Sequence, residues 1–301
     1  MIKMKYILYI ITGLFFVNIY SQEADTFKVL TYNIWNGFDF GKDTMRLKNF
    51  QTWMKQQDVD VAALQELCSY TDQRLQEEAK QWGHNYTLLL KNTGYSVGIT
   101  SKYPIELKER ILKDLHHGAL HCKIQDVDYI IVHLNPENIA KRRNEMKVLF
   151  RKIEDILKTT DKLIVLGDFN SNSPFDQHLY DLNGELIKRM EKEDNKKTGL
   201  NGNLDNGQLD YSVISGFLSM NLYDVLLPYS QALEQRISFP TPALIPRYFE
   251  TESQVDSCGE RIDYMLVSRA LYINSLVAQA LNGVDNDLLS DHYPVMAQFR
   301  K

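Results

Sequence analysis

The chain has 301 residues, 44% hydrophobic and 24% charged, which supplies apolar mass for a substantial core and excludes disorder, collagen or coiled coil as overall descriptions. Lys+Arg 34 against Asp+Glu 39 gives a formal charge of -5, so the basic excess of a dedicated nucleic-acid binder is missing. Lys3 and Lys5 precede an apolar run over residues 7–17, and polar residues 18–22 follow it. This pattern predicts a secretory signal peptide over residues 1–21, cleaved after the small Ser21. The run falls short of the roughly 18 apolar residues of a spanning helix, which ranks cleavage above an uncleaved anchor. Two lysines and no acid leave with the segment, taking the charge from -5 to -7. The expected product is secreted or periplasmic, monomeric and without stable membrane association. Cys68, Cys122 and Cys258 are scattered singly, which suits buried small hydrophobes and allows at most one bridge.

No linker, repeat or low-complexity tract interrupts the remainder, so residues 22–301 read as one domain. Strands are predicted over 27–33 and 59–65, with an amphipathic helix over 46–56 between them. A helix over 72–82 precedes four strands at 85–90, 96–100, 118–124 and 129–134, joined by short turns. Residues 137–157 carry Ile139, Met146, Leu149, Ile153 and Ile156 at helical spacing, with Lys141, Arg142 and Arg143 assigned to the opposite, solvated face. A fully apolar strand covers 162–166. The polar, Gly- and Asn-rich stretch 183–208 reads as a long surface loop. Strands at 262–267, 275–281 and 295–299 complete the chain. Antiparallel strands in two groups with interspersed helices predict two sheets packed face to face, with helices outside.

Several apolar strands end on an acid, amide or imidazole. Asn33 follows Val29-Leu30-Thr31-Tyr32, Glu66 follows Val61-Ala62-Ala63-Leu64-Gln65, and His133 follows Tyr129-Ile130-Ile131-Val132. Asp168 and Asn170 follow the 162–166 strand, Asp263 opens another, and Asp291-His292 precedes the last. Each alone is an ordinary turn former or satisfied histidine. Together, a shared rim of Glu66, Asp168, Asp263 and Asp291 would require a metal or protonated histidines, because gathered carboxylates are costly without compensation. Oxygen donors without nearby Cys favour a hard cation, Mg²⁺ or Ca²⁺, over Zn²⁺. His133 and His292 would then serve as acid, base or oxyanion stabilisers, a combination suited to water attack on a phosphate ester.

Six stretches, in order, resemble the endonuclease/exonuclease/phosphatase superfamily of metal-dependent phosphohydrolases. They are Leu30-Thr31-Tyr32-Asn33-Ile34, Ala63-Leu64-Gln65-Glu66, Val132-His133-Leu134, Gly167-Asp168-Phe169-Asn170, Arg261-Ile262-Asp263-Tyr264 and Ser290-Asp291-His292-Tyr293-Pro294. The resemblance implies an α/β (α+β) four-layer sandwich of two mainly antiparallel β-sheets flanked by helices, with the active site at one edge of both sheets. It implies Mg²⁺, with Mn²⁺ or Ca²⁺ as substitutes, held by Glu66 with Asn33 and Asp291. Asp168 would align or deprotonate the attacking water, and Asn170 would hold the phosphate or that water. His292 would face the transition state, oriented by Asp263, and His133 would act on the leaving group or phosphate. His116 and His117 lie where a substrate-contacting basic residue is expected, the alternative being that these and His121 are simply exposed. Residues 238–241 and the pair Tyr248-Phe249 are candidates for the same edge, with core packing as the alternative.

The implied reaction is phosphodiester hydrolysis of nuclease type, with nucleic acid as a candidate substrate. Weighing against long duplex DNA, the chain offers only local basic clusters, Lys141-Arg142-Arg143 and Lys188-Arg189. The alternatives are a hydrolase of a small or lipid-linked phosphoester, such as an inositol phosphate, a nucleotide or a sphingomyelin-like headgroup, and a non-catalytic binding module with the same fold.

Overall fold

The computed structural model describes residues 25–181, 184–196 and 202–301; the segment expected as a signal peptide lies outside them. The first strands are β1 (Thr26–Asn33), β2 (Val61–Gln65), β3 (Tyr86–Leu89), β4 (Gly98–Ser101) and β5 (Ile105–Ile111). Next come β6 (Ala119–Ile124), β7 (Val127–His133), β8 (Leu163–Asp168), β9 (Leu204–Asp205) and β10 (Gln208–Leu209). The last are β11 (Leu222–Asp224), β12 (Asp263–Ser268), β13 (Ser275–Ala280) and β14 (Val295–Arg300).

Two six-stranded sheets result, in the orders β13-β14-β1-β2-β4-β3 and β11-β12-β8-β7-β6-β5, besides the small β9-β10 hairpin. Each large sheet contains one parallel pair, β1 with β2 and β7 with β8, and its other pairs are antiparallel. The sandwich of mainly antiparallel sheets flanked by helices is the architecture the sequence predicts.

The central strands are apolar along their length because both faces are covered. On β1, Phe27 and Val29 join the core between the sheets, while Leu30 and Tyr32 join the core under the Thr44–Gln57 helix with Phe50, Trp53 and Met54. On β7, Tyr129 and Ile131 face the other sheet, and Ile130 and Val132 pack with Leu149 and Ile153 of the Ile139–Leu157 helix. On β8, Ile164 and Leu166 face inward and Leu163 and Val165 outward. Successive side chains alternate, so Asn33, His133 and Asp168 fall on the inward faces, where the apolar residues between the sheets run out. Asp263 keeps the inward parity of Met265 and Val267 on β12.

The structure changes three local expectations. Residues 184–196 form a helix, Gly184–Lys196, that buries Leu186 and Met190 one turn apart, and an Asn206-Gly207 turn joins β9 to β10. The stretch had read as a loop because those few apolar residues sit among many polar ones. Strand β5 had no prediction: as an edge strand it is partly exposed and largely charged, and a register shift between Leu107 and Glu109 interrupts its alternation. Arg142, assigned to the solvated face of its helix, is buried.

Gly167 on β8 tests the close approach of the parallel pair. Its φ is +138°, and a Cβ there would lie 2.0 Å from the Val132 carbonyl oxygen. Gly167→Ala is expected to lower stability by about 2 kcal/mol or more, read from the urea midpoint. An unchanged midpoint would contradict the register.

Candidate active site

The parallel pairs bring Asn33 level with Gln65 and His133 level with Asp168, while the antiparallel β8–β12 pair sets Asp168 opposite Asp263. Asn33 links the two sheets: its Nδ2 donates to Asp168 Oδ2 at 3.0 Å and Glu66 Oε1 at 3.3 Å, and lies 3.4 Å from His292 Nε2. Its Oδ1 accepts from the Trp35 N–H at 3.1 Å, so it is the amide NH₂ that faces the centre. His292 Nδ1 is 2.8 Å from Asp263 Oδ2, and its Nε2 is 3.8 Å from Asp168 Oδ2. His133 Nε2 reaches the same Asp168 oxygen at 3.5 Å. Asn170 donates its backbone N–H to Asp168 Oδ1 at 2.8 Å and its side-chain Nδ2 to the Leu134 carbonyl at 3.0 Å.

Supporting groups fix these side chains. Ser238 Oγ accepts the N–H groups of Ile262 and Asp263, both at 3.0 Å, and Ser290 Oγ donates to the Asn33 carbonyl at 2.6 Å. From Trp35 to Phe40 the backbone is left-handed, with φ between 51° and 60°. Such a turn is costly for L-residues. It directs the Asn36 N–H onto Glu66 Oε2 at 2.6 Å. Buried Arg46 holds it by donating to the carbonyls of Ile34 and Trp35, both at 2.9 Å, and Gly37 presses on Cys68, where a Cβ would fall 2.5 Å from the carbonyl oxygen. Sequence reasoning missed this turn; its one local signal is the Asn36-Gly37 dipeptide.

A cleft of about 1020 Å³ opens on the cluster and is lined by Glu66, Asp168, Asn170, Asp291 and His292. His116, His117 and His133 line one wall, and Phe239, Tyr248 and Phe249 another, so the edge residues suggested by sequence do reach the site. His116 is exposed and His117 buried; their rings are 4.3 Å apart, and His117 stacks on His133, also at 4.3 Å. His121 is elsewhere, paired with Asp128. The Gly184–Lys196 helix contributes Lys188, Arg189 and Lys192 to the rim.

Burial and the Asp263 charge push the Asp168 carboxyl up to about 8. Burial also pushes Asp291 up, to about 7, offset by His292 and reinforced by Glu66. Burial alone would lower His292, but Asp263, through charge and hydrogen bond, together with Asp168 and Asp291, holds it well above its ordinary value. His133 and His117 are driven the other way by burial and neighbouring imidazoles, His117 to about 3. The carboxylate wall therefore resists full ionisation without added positive charge, which fits the oxygen donors Glu66 and Asp291 to a hard divalent cation. Asp168, Asp263 and His292 also present potential ligand atoms within 4.8 Å of one another, but His292 Nδ1 is engaged by Asp263.

The sequence profile described as Endonuclease/Exonuclease/phosphatase family matches residues 30–292. A search of curated proteins finds no match. Among solved structures, the 3′ phosphatase NExo from Neisseria, bound to a product DNA hairpin, superimposes with a TM-score of 0.66 at 20% identity, covering 91% of this chain and 99% of that one. An AP endonuclease from Archaeoglobus fulgidus gives 0.63 at 18%, covering 91% and 100%. The 3′-5′ exonuclease NExo from Neisseria meningitidis gives 0.64 at 19%, with the same coverage.

The depressed His117 makes stability fall in acid. Above pH 6.5 it is neutral in folded and unfolded states alike. Below that, the unfolded chain takes a proton that the fold refuses until about pH 3, costing up to about 1.4 kcal/mol per pH unit. His117→Asn should flatten the loss of urea midpoint between pH 7 and pH 4.5; an equal slope in the variant would contradict this.

Proposed function

The chain belongs to the endonuclease/exonuclease/phosphatase family, and we propose that it is an exported, Mg²⁺-dependent phosphodiesterase of nuclease type. The observation that carries this reading is the Asn33-centred cluster, in which Glu66, Asp168, Asp263 and His292 from both sheets share one set of hydrogen bonds.

Glu66 and Asp291 would hold the cation, whose charge would neutralise a nonbridging phosphate oxygen, whereas Asn33, expected to help hold it, turns its NH₂ and not its oxygen to the centre. The Asn36 N–H fixes the Glu66 carboxylate, and Asn33 spaces it from Asp168. Asp168, with one oxygen on the Asn170 N–H, orients the water and accepts its proton; a carboxyl raised toward neutral pH suits that task. Asp263 sets the His292 ring so that Nε2 faces the phosphoryl group and donates as charge develops. His133, kept neutral by burial and neighbouring imidazoles, would donate a hydrogen bond to a phosphate oxygen. The charged N-terminus, apolar run and small residue at 21 support export, with a mature protein beginning at Gln22.

A hydrolase of a small phosphoester is the second reading. It is favoured because the 141–143 cluster does not form a basic surface: Arg142 is buried, and Arg143 is spent on Asp205 and Asp210. Plasmid DNA, RNA, bis-p-nitrophenyl phosphate and p-nitrophenyl phosphate, each with Mg²⁺ or EDTA, separate the readings. Metal-dependent nicking supports the nuclease, and ester turnover without nicking supports the second reading. No turnover at all would overturn both. His292→Ala should lower kcat about 10²–10³-fold in protein that still folds cooperatively, as read by circular dichroism. Glu66→Gln should raise the Mg²⁺ concentration needed for half-maximal rate. A His292→Ala enzyme at the wild-type rate would contradict the assignment.

A further inference from the structure

Three arginines are buried among the described residues: Arg46, Arg142 and Arg261. Arg46 pairs with Asp43 at 3.3 Å, and Arg261 with Asp176 at 2.7 Å and Asp224 at 2.6 Å. Arg142, only 3% exposed, forms no ion pair among the described residues, and of the three it alone lines the cleft. Its Nη1 donates to two neutral acceptors, the Asn135 carbonyl and Asn203 Oδ1, both at 2.9 Å, and its Nε is buried without a partner.

The acid one turn along the same helix makes no ion pair with it, although its charge and that of Asp210 still act on the guanidinium. Buried Glu145 instead accepts the backbone N–H of His116 at 2.6 Å and of Asn135 at 2.8 Å. Those bonds lace the His116-His117 turn, the Asn135 turn and the Arg142 helix into one wall. On that wall His117 Nε2 and His133 Nδ1 are also buried and unpartnered, and both rings line the cleft. Arg189, by contrast, is matched by Glu260 at 2.5 Å. A buried guanidinium with no carboxylate in direct contact is costly unless an anion reaches it. Burial draws Arg142 down to about 10, against the opposing charges of Asp210 and Glu145, neither of which bonds to it.

We propose that Arg142, with the ring nitrogens of His117 and His133 on the same wall, forms a second anion subsite that takes a non-scissile phosphate of the substrate. This rests on the hydrolase reading and narrows it to phosphoesters that carry a further phosphate. The same group is offered by the next phosphate of a nucleic acid and by the second phosphate of a small molecule.

Thymidine 5′-(4-nitrophenyl phosphate) and its 3′-phosphorylated form share the scissile ester and differ by one phosphate. With Mg²⁺, the wild type should favour the 3′-phosphorylated ester by about tenfold or more in kcat/KM, chiefly through KM. Arg142→Gln should bring the ratio within about twofold, and Arg142→Lys should retain part of it. A wild type without preference, or an Arg142→Gln variant with the full ratio, overturns the subsite. Because Arg142 also ties down Asn135 and Asn203, the wild type is tested alone as well: in EDTA, pyrophosphate should raise its melting temperature by about 2 °C or more. No shift overturns the proposal. This arm needs no turnover, so it stays decisive if the hydrolase reading fails. As competitors of the phosphorylated ester, a single-stranded oligonucleotide and thymidine 3′,5′-bisphosphate tell the two sources apart. Inhibition by neither counts against the subsite.

Discussion

The hydrogen bond between Asp263 and His292 is the interaction on which the site depends. Asp263 opens β12 in one sheet, and His292 precedes β14 in the other, so their 2.8 Å contact bridges the two sheets where the apolar core ends. Asn33 adds a second crossing to Asp168 at 3.0 Å. Each parallel pair delivers one half of the cluster. Strand pleat decides the rest: inward parity that buries Val29, Ile131 and Leu166 further along the strands delivers Asn33, His133 and Asp168 to the edge.

The cleft is electrically divided. One wall carries Glu66, Asp168 and Asp291, with buried Asp263 beside Asp168; burial and mutual repulsion raise Asp168 and Asp291, and this is the wall that calls for a cation. The adjoining wall, which begins at His133 beside Asp168, carries neutral His117 and His133 and an Arg142 with no ion pair among the described residues, and this is the wall that calls for an anion. A phosphoester with an added divalent ion satisfies both. The whole-chain charge of -5 is thus a poor guide to the site, since acidic residues at the metal wall act through the ion they bind.

Much of this was legible in the sequence. Apolar runs ending at Asn33, His133 and Asp168 mark strands buried on both faces, and their polar ends mark where the core stops. The unread parts depend on partners distant in sequence. Arg142 looks solvated beside Lys141 and Arg143, and only the fold shows its guanidinium turned to Asn135 and Asn203. The left-handed turn at Trp35 exists because Arg46 and Cys68 surround it. The Gly184–Lys196 helix is amphipathic, with Leu186, Ile187 and Met190 packed into one cluster, but it lies inside a stretch whose Gly- and Asn-rich ends read as a loop.

The position of the divalent ion tests the account most directly. Crystals soaked in Mn²⁺ and measured at the manganese edge should show an anomalous peak about 2.1 Å from a Glu66 carboxylate oxygen. A peak held by Asp168, Asp263 and His292 without Glu66, or no peak in the cleft, would contradict the assignment of the metal wall.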